Sequence, residues 1–345
     1  MNQKITLFYS QNKIWIENFV LFLFCFAIIF GPAYALFDTY NYDMVGNPDL
    51  KTYFGLAHFD FDQSQIRKYR VIIPFLASGL NYVFGPLFSG IAPQTFPGPD
   101  FSLCMSFLIV NCVFMSIFGM LVYRLCKEFG VSKIAAIIGL LSVLTCRWTS
   151  YLAGIPIVDS LYLVVIAMVL LGLKTKNTKL IILSIFLGPW AKESFIFIAP
   201  LIFFFSPIKK WKQVILFLIS AILVFSFRFY LDTLSNISSN LGLKSDFGHF
   251  DYISISLKRM FSFHGAYEIF SIFGLWGLLF IFLIKKDIRM LLKQKTTTYM
   301  IIFLFIVLIH ALLSTELARM FYIVTPILAI WIALISDKII SIKEQ

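Results

Sequence analysis

The chain has 345 residues, 59% hydrophobic and 14% charged, with mean hydropathy +0.86 and a formal net charge of +11. Soluble domains carry about a quarter charged residues, so this composition excludes an ordinary water-soluble protein. The positive charge lies in short loops between apolar runs, as in membrane proteins, and not on a nucleic-acid-binding face.

Apolar runs of about 18 residues or more recur, which predicts an all-α integral membrane protein; a membrane barrel shows short alternating segments instead. The candidate segments are 14–36, 71–88, 101–123, 132–148, 156–173, 179–189, 194–206, 211–230, 266–284, 298–314 and 318–336. No small-residue cleavage site follows the first, so 14–36 reads as an uncleaved span. It is followed by a hydrophilic loop, 37–70, with five aspartates (Asp38, Asp43, Asp49, Asp60, Asp62) and four basic residues (Lys51, Arg67, Lys68, Arg70). Further on, four loops are basic: 124–133 with +2, 174–179 with +3, 207–213 with +3 and 285–295 with +4. The positive-inside rule puts all four in the cytoplasm.

With the N-terminus also cytoplasmic, that assignment holds only if 71–88 does not cross. The segment contains Pro74, Gly79, Gly85 and Pro86 and reads as a helix on, or dipping into, the outer face. The alternative is an outside N-terminus with 71–88 as a true span. Segments 179–189 and 194–206 lie between two basic loops, so the chain goes up and returns in arms of roughly 17–24 Å, shorter than the hydrocarbon core of about 30 Å. Their turn, Gly188 to Ser194, therefore lies below the outer surface, and charged irregular backbone at that depth lines a wet cavity or is packed in protein. The five cysteines (Cys25, Cys104, Cys112, Cys126, Cys146) lie in or beside apolar runs without metal-ligand spacing and read as packing residues. No internal repeat or linker divides the chain. Residues 1–345 read as one polytopic membrane domain with outer loops at 37–70 and 231–265.

The polar residues expected on the outer side are the first-loop aspartates, Arg70, Asp159, Lys192, Glu193, Glu316 and Arg319. Ionisable groups at membrane depth mark a ligand, a pathway or a pair. Arginine holds phosphate through a charge-assisted fork, and a carboxylate serves as general base. In the second outer loop, Asp246, His249 and Asp251 have a spacing that a metal site uses, but no second cluster supports one, so no metal site is assigned.

Five short motifs in order resemble the GT-C-fold glycosyltransferases, multi-span enzymes that use polyprenyl-phosphate sugars. They are the acidic loop with Asp38 and Gly46-Asn47-Pro48-Asp49-Leu50-Lys51-Thr52-Tyr53; Tyr69 to Ala77 as a juxtamembrane segment; Val158-Asp159-Ser160-Leu161; Ala191-Lys192-Glu193-Ser194; and Glu316-Leu317-Ala318-Arg319 followed by Pro326. The resemblance implies about ten transmembrane helices plus the non-spanning 71–88 helix. It also implies a sugar donor whose phosphate is held near Arg319, helped by Arg70 or Lys192, with Glu193, Tyr53 and Asp159 as further substrate contacts. A first-loop aspartate, Asp49 for its spacing to Tyr53 or else Asp38, would activate the acceptor for displacement with inversion. Two departures from the family pattern are the lack of a large soluble domain after the spans and of a Glu in the first loop. No cofactor beyond the lipid-linked donor is implied, and metal dependence is left open. The partners are membrane lipids, the lipid-linked sugar and an acceptor that is a glycan, lipid or protein, with room for membrane-protein partners. The expected location is a bacterial inner membrane with both termini cytoplasmic. Two other functions fit the composition: a transporter or flippase of a lipid-linked or anionic substrate, and a non-catalytic assembly subunit with the same fold.

Overall fold

Helix α1 (Asn2–Thr39) opens a computed structural model that describes residues 2–63, 67–235, 252–314 and 316–343. Aromatic rings four residues apart stack along one side of α1, with Phe26–Phe30 and Phe30–Tyr34 centroids at 5.5 and 5.9 Å. All secondary structure among the described residues is helical.

The hydrophilic run 37–70 is not a solvated loop. It contains α2 (Pro48–Ala57), seven of whose ten residues are buried, and a 3-10 turn at Arg67–Tyr69. Asn47 starts α2 by accepting from the N–H groups of Asp49 and Leu50, and Pro48 occupies the first position, where its missing N–H costs nothing. Two of the five aspartates are turn-makers. Asp43 accepts from the N–H groups of Val45 and Gly46, and Asp60 from the N–H of Asp62 and the Gln63 amide.

Helix α3 (Ile72–Gly90) leaves this region and leads to α4 (Phe101–Glu128). Phe37 at the end of α1, Phe96 in the connection after α3 and Phe101 at the start of α4 form a ring cluster with centroids 5.0–5.5 Å apart. At the other end of α3, Arg70 bonds Tyr53 of α2, and the next residue, Phe54, stacks on Phe107, two turns into α4. α3 packs along α4, and its 19 residues are long and apolar enough to cross a bilayer, where the sequence predicted a non-spanning segment.

The segment 132–148 is not one straight helix. α5 (Lys133–Leu144) and α6 (Arg147–Gly154) meet at 61°, and Gly154 lets α6 cross α1 closely, since a Cβ there would lie 2.6 Å from the Ala33 carbonyl oxygen. α7 (Asp159–Thr175) is buried from Asp159 through Leu173, packs on α4 and on α8 (Thr178–Ala191), and is apolar all round, as a central helix must be. After α8 the chain breaks into a 3-10 turn (Glu193–Phe197) and α9 (Ala199–Phe205). α10 (Lys210–Leu234) follows, and then α11 (Tyr252–Met260), α12 (Phe263–Phe273) and a 3-10 continuation to Ile284. The basic run 285–295 is a helix and not a loop: α13 (Lys286–Lys295) meets α14 (Thr298–Leu312) at 90°. Its charged face and low apolarity make it a surface helix. The last elements are α15 (Leu317–Phe321), a 3-10 turn and α16 (Thr325–Lys343), which packs on α5.

Six helices among the described residues are long and apolar enough to cross a bilayer, and up to eight if each bent pair counts as one span. The chain is a multi-pass membrane protein. The apolar stretches of α10 and of Phe263–Ile284 are mostly unburied, with Phe225, Phe229, Leu275 and Ile281 facing outward, as lipid contact requires. All five cysteines are buried free thiols, in keeping with packing roles.

Candidate functional site

Where α2, α7, α15 and the break after α8 converge, charged side chains from distant parts of the sequence meet. Asp49 and Tyr53 are four residues apart on α2 and so share a face. Asp49 accepts from Arg319 Nη1 at 2.9 Å and pairs with Arg67. Asp159, the first residue of α7, is held by its surroundings. Asn111 of α4 donates to the carbonyls of Ile155 and Ile157 at 3.1 and 3.0 Å and accepts from the Ser160 hydroxyl at 2.6 Å. A fully buried amide satisfied in this way pins the turn before α7. Asn111 is ten residues into α4, so this turn lies about 15 Å along α4 from its start. Asp159 accepts from Lys192 Nζ at 2.8 Å and from Arg319 Nε at 3.1 Å, with Arg319 Nη2 on the same oxygen. Arg319 Nη1 also bonds Glu316 at 2.7 Å. Arg319 therefore ties together Asp49, Asp159 and Glu316.

The break after α8 supplies Lys192 and Glu193. Gly188 is needed there, because the Phe195 ring folds back onto it and a Cβ would lie 2.4 Å from that ring. Glu193 Oε2 takes both Arg70 Nε at 3.0 Å and Nη2 at 2.8 Å, and Arg70 Nη1 bonds the Tyr53 hydroxyl at 3.0 Å. The structure thus gathers Asp49, Tyr53, Arg70, Asp159, Lys192, Glu193 and Arg319, residues that the sequence reading nominated. It leaves out Asp38. That residue is in the last turn of α1, where its neighbour Phe37 is wholly buried; one step of about 100° around the helix turns Asp38 to the exposed side. The Asp246, His249 and Asp251 spacing lies outside the described residues. Among the described residues no group of three His, Cys, Asp or Glu could hold a metal ion.

A second group of charges adjoins the first. Lys68 Nζ lies 2.5 Å from Asp232, which also accepts from the Tyr69 hydroxyl at 2.9 Å. The Arg228 guanidinium covers the Tyr69 ring at 4.7 Å and stands 3.7 Å from Glu193. Lys68, Tyr69, Arg228 and Asp232 were not nominated from sequence. The available signal was Arg228 and Asp232, one turn apart in the otherwise apolar α10, since charges in such a helix mark a functional position.

Burial opposes charge on the Asp49 carboxyl, but the guanidiniums of Arg319, Arg67 and Arg70 outweigh it and hold its pKa below the usual 3.8. Asp49 is therefore an oriented carboxylate, ionised at neutral pH, that can accept a proton or stabilise a cation. Apart from the charges, α3 and α4 enclose an apolar groove of about 470 Å³ lined by Phe75, Leu80, Phe84, Val113 and Phe114 among others. Its lining suits hydrocarbon and offers no group for chemistry.

Compared with known proteins, the chain matches no family model, no curated protein and no solved structure.

Proposed function

We propose that this chain is a membrane glycosyltransferase of GT-C type that moves a sugar from a polyprenyl-phosphate donor to an acceptor on the non-cytosolic face. The observation that carries the reading is the bonded contact between Asp49 and Arg319, 270 residues apart, within a cluster that also holds Asp159 and Lys192. Arg319 orients Asp49 and keeps it ionised. Asp49 takes the proton of the acceptor hydroxyl as that oxygen bonds to the anomeric carbon. The bond from that carbon to the phosphate oxygen breaks with its electron pair, and the anomeric centre inverts. General bases of this kind contribute about 10²–10⁴ to rate.

In this reading about ten helices cross a bacterial inner membrane and both termini are cytoplasmic. α3, although long enough to span, lies along the non-cytosolic face in this reading, because a crossing there would put the four basic segments outside. The short α8 and α9 arms set the break at Lys192 and Glu193 inside the bilayer, where a wet cavity accommodates them.

Reconstitution in liposomes with a panel of polyprenyl-phosphate sugars tests the proposal. One donor should support transfer, and Asp49→Asn should lower turnover by about 10²-fold or more while donor binding persists. If no donor supports transfer but labelled lipid crosses the bilayer in a protein-dependent way, the flippase reading replaces this one.

A further inference from the structure

The two charge groups differ in how fully they are satisfied. In the first, three carboxylates (Asp49, Asp159, Glu316) face three cations (Arg67, Lys192, Arg319), and no buried side-chain atom of these six lacks a partner. Arg319, which the family resemblance implied as the phosphate ligand, has Nε, Nη1 and Nη2 all engaged by carboxylates. In the second group, among the described residues, two carboxylates (Glu193, Asp232) face three cations (Lys68, Arg70, Arg228). Among the described residues, three of its buried polar atoms have no hydrogen-bond partner: Lys68 Nζ, Arg228 Nε and Glu193 Oε1. Lys68 is 0% exposed, and its approach to Asp232 falls outside hydrogen-bond geometry. An ammonium has three donors, so most of its capacity is unspent. Arg228 is only loosely paired, at 3.7 Å from Glu193.

A buried polar group left unsatisfied destabilises the free protein, more so when it is charged. A ligand that met all three atoms would recover that cost. It needs anionic oxygens for Lys68 and Arg228 and a hydroxyl to donate to Glu193 Oε1, and the excess positive charge asks for an anion. A singly protonated phosphate meets each requirement. We propose that Lys68, Arg228 and Glu193 form a phosphate subsite, separate from the Asp49 and Arg319 group, that holds the phosphate monoester of the lipid carrier released in the transfer. Arg70, fixed between Glu193 and Tyr53, holds Glu193 in place. The subsite deepens the glycosyltransferase reading by naming the seat of its leaving group.

The test measures binding, not turnover. Labelled geranylgeranyl phosphate is titrated onto the full chain in nanodiscs, with unlabelled geranylgeraniol and inorganic phosphate as competitors. Wild type should bind saturably and geranylgeraniol should not compete. Arg228→Gln should weaken binding tenfold or more and Arg228→Lys less. The exposed Lys286→Gln should leave it unchanged. Competition by inorganic phosphate at the same concentrations as the lipid would assign the subsite to free phosphate; weak competition assigns it to the lipid headgroup. Unchanged affinity in a folded Arg228→Gln chain, or equal competition by geranylgeraniol, overturns the subsite. Arg228-dependent binding without sugar transfer would sink the transferase reading alone.

Discussion

The two neighbouring charge groups are built from the same residue types and do opposite things with them. Around Arg319 the charges balance and each buried donor meets an acceptor. Around Arg228, among the described residues, the cations outnumber the carboxylates and buried atoms go unmet. A balanced buried network is stable by itself and costs dearly when one member is removed. An unbalanced one costs stability in the free protein and recovers it on binding. The first is thus suited to orienting a reactive carboxylate, the second to gripping an anion.

The sharpest way to break this comparison is stability. Arg319→Met leaves Asp49, Asp159 and Glu316 without their shared cation, and should destabilise the protein by about 3–5 kcal/mol. Arg228→Gln removes a loose pair and a cation–π contact with Tyr69 and should cost about 1 kcal/mol. Thermal unfolding of both variants in one detergent checks this; equal losses would mean the two groups do not differ.

A pH profile sharpens the role of the balanced group. The folded-state pKa of Asp49 is depressed, so its ion pairs contribute stability above the unfolded value, near 3.8. That contribution is lost as pH falls through the lower folded value. Arg67→Gln removes one of the guanidiniums that depress it, so the acid limb of thermal stability should move to higher pH. An unmoved limb would assign the depression to Arg319 and Arg70 alone.

The smallest expected effect is at Asp38. Asp38→Asn alters an exposed helix-end residue outside both groups, and should change stability by no more than about 0.5 kcal/mol and leave transfer intact. A large loss of transfer in liposomes would move the base from Asp49 to Asp38.

Hydropathy made the membrane class and most helix positions legible, because a bilayer demands long apolar helices whatever they pack against. The basic run 285–295 was misread as a loop because charge counts do not distinguish a surface helix from a turn. The hydrophilic run 37–70 hid α2 for a similar reason: half-buried polar helices lack a strong apolar signature, although Asn47-Pro48 marked its start. Several site residues stood out as isolated charges beside apolar runs. Lys68 did not, since it reads as one more basic residue at a membrane edge, whereas Arg228 with Asp232 in apolar α10 was a signal passed over.

By itself, the sequence determined that the chain crosses a membrane repeatedly and where its costly charges lie, because both follow from local composition. Only the tertiary structure decided which of five aspartates meets Arg319, and that Lys68, 164 residues before Asp232, is buried against it. Charge pairing across such distances depends on how helices pack, and no local pattern encodes it.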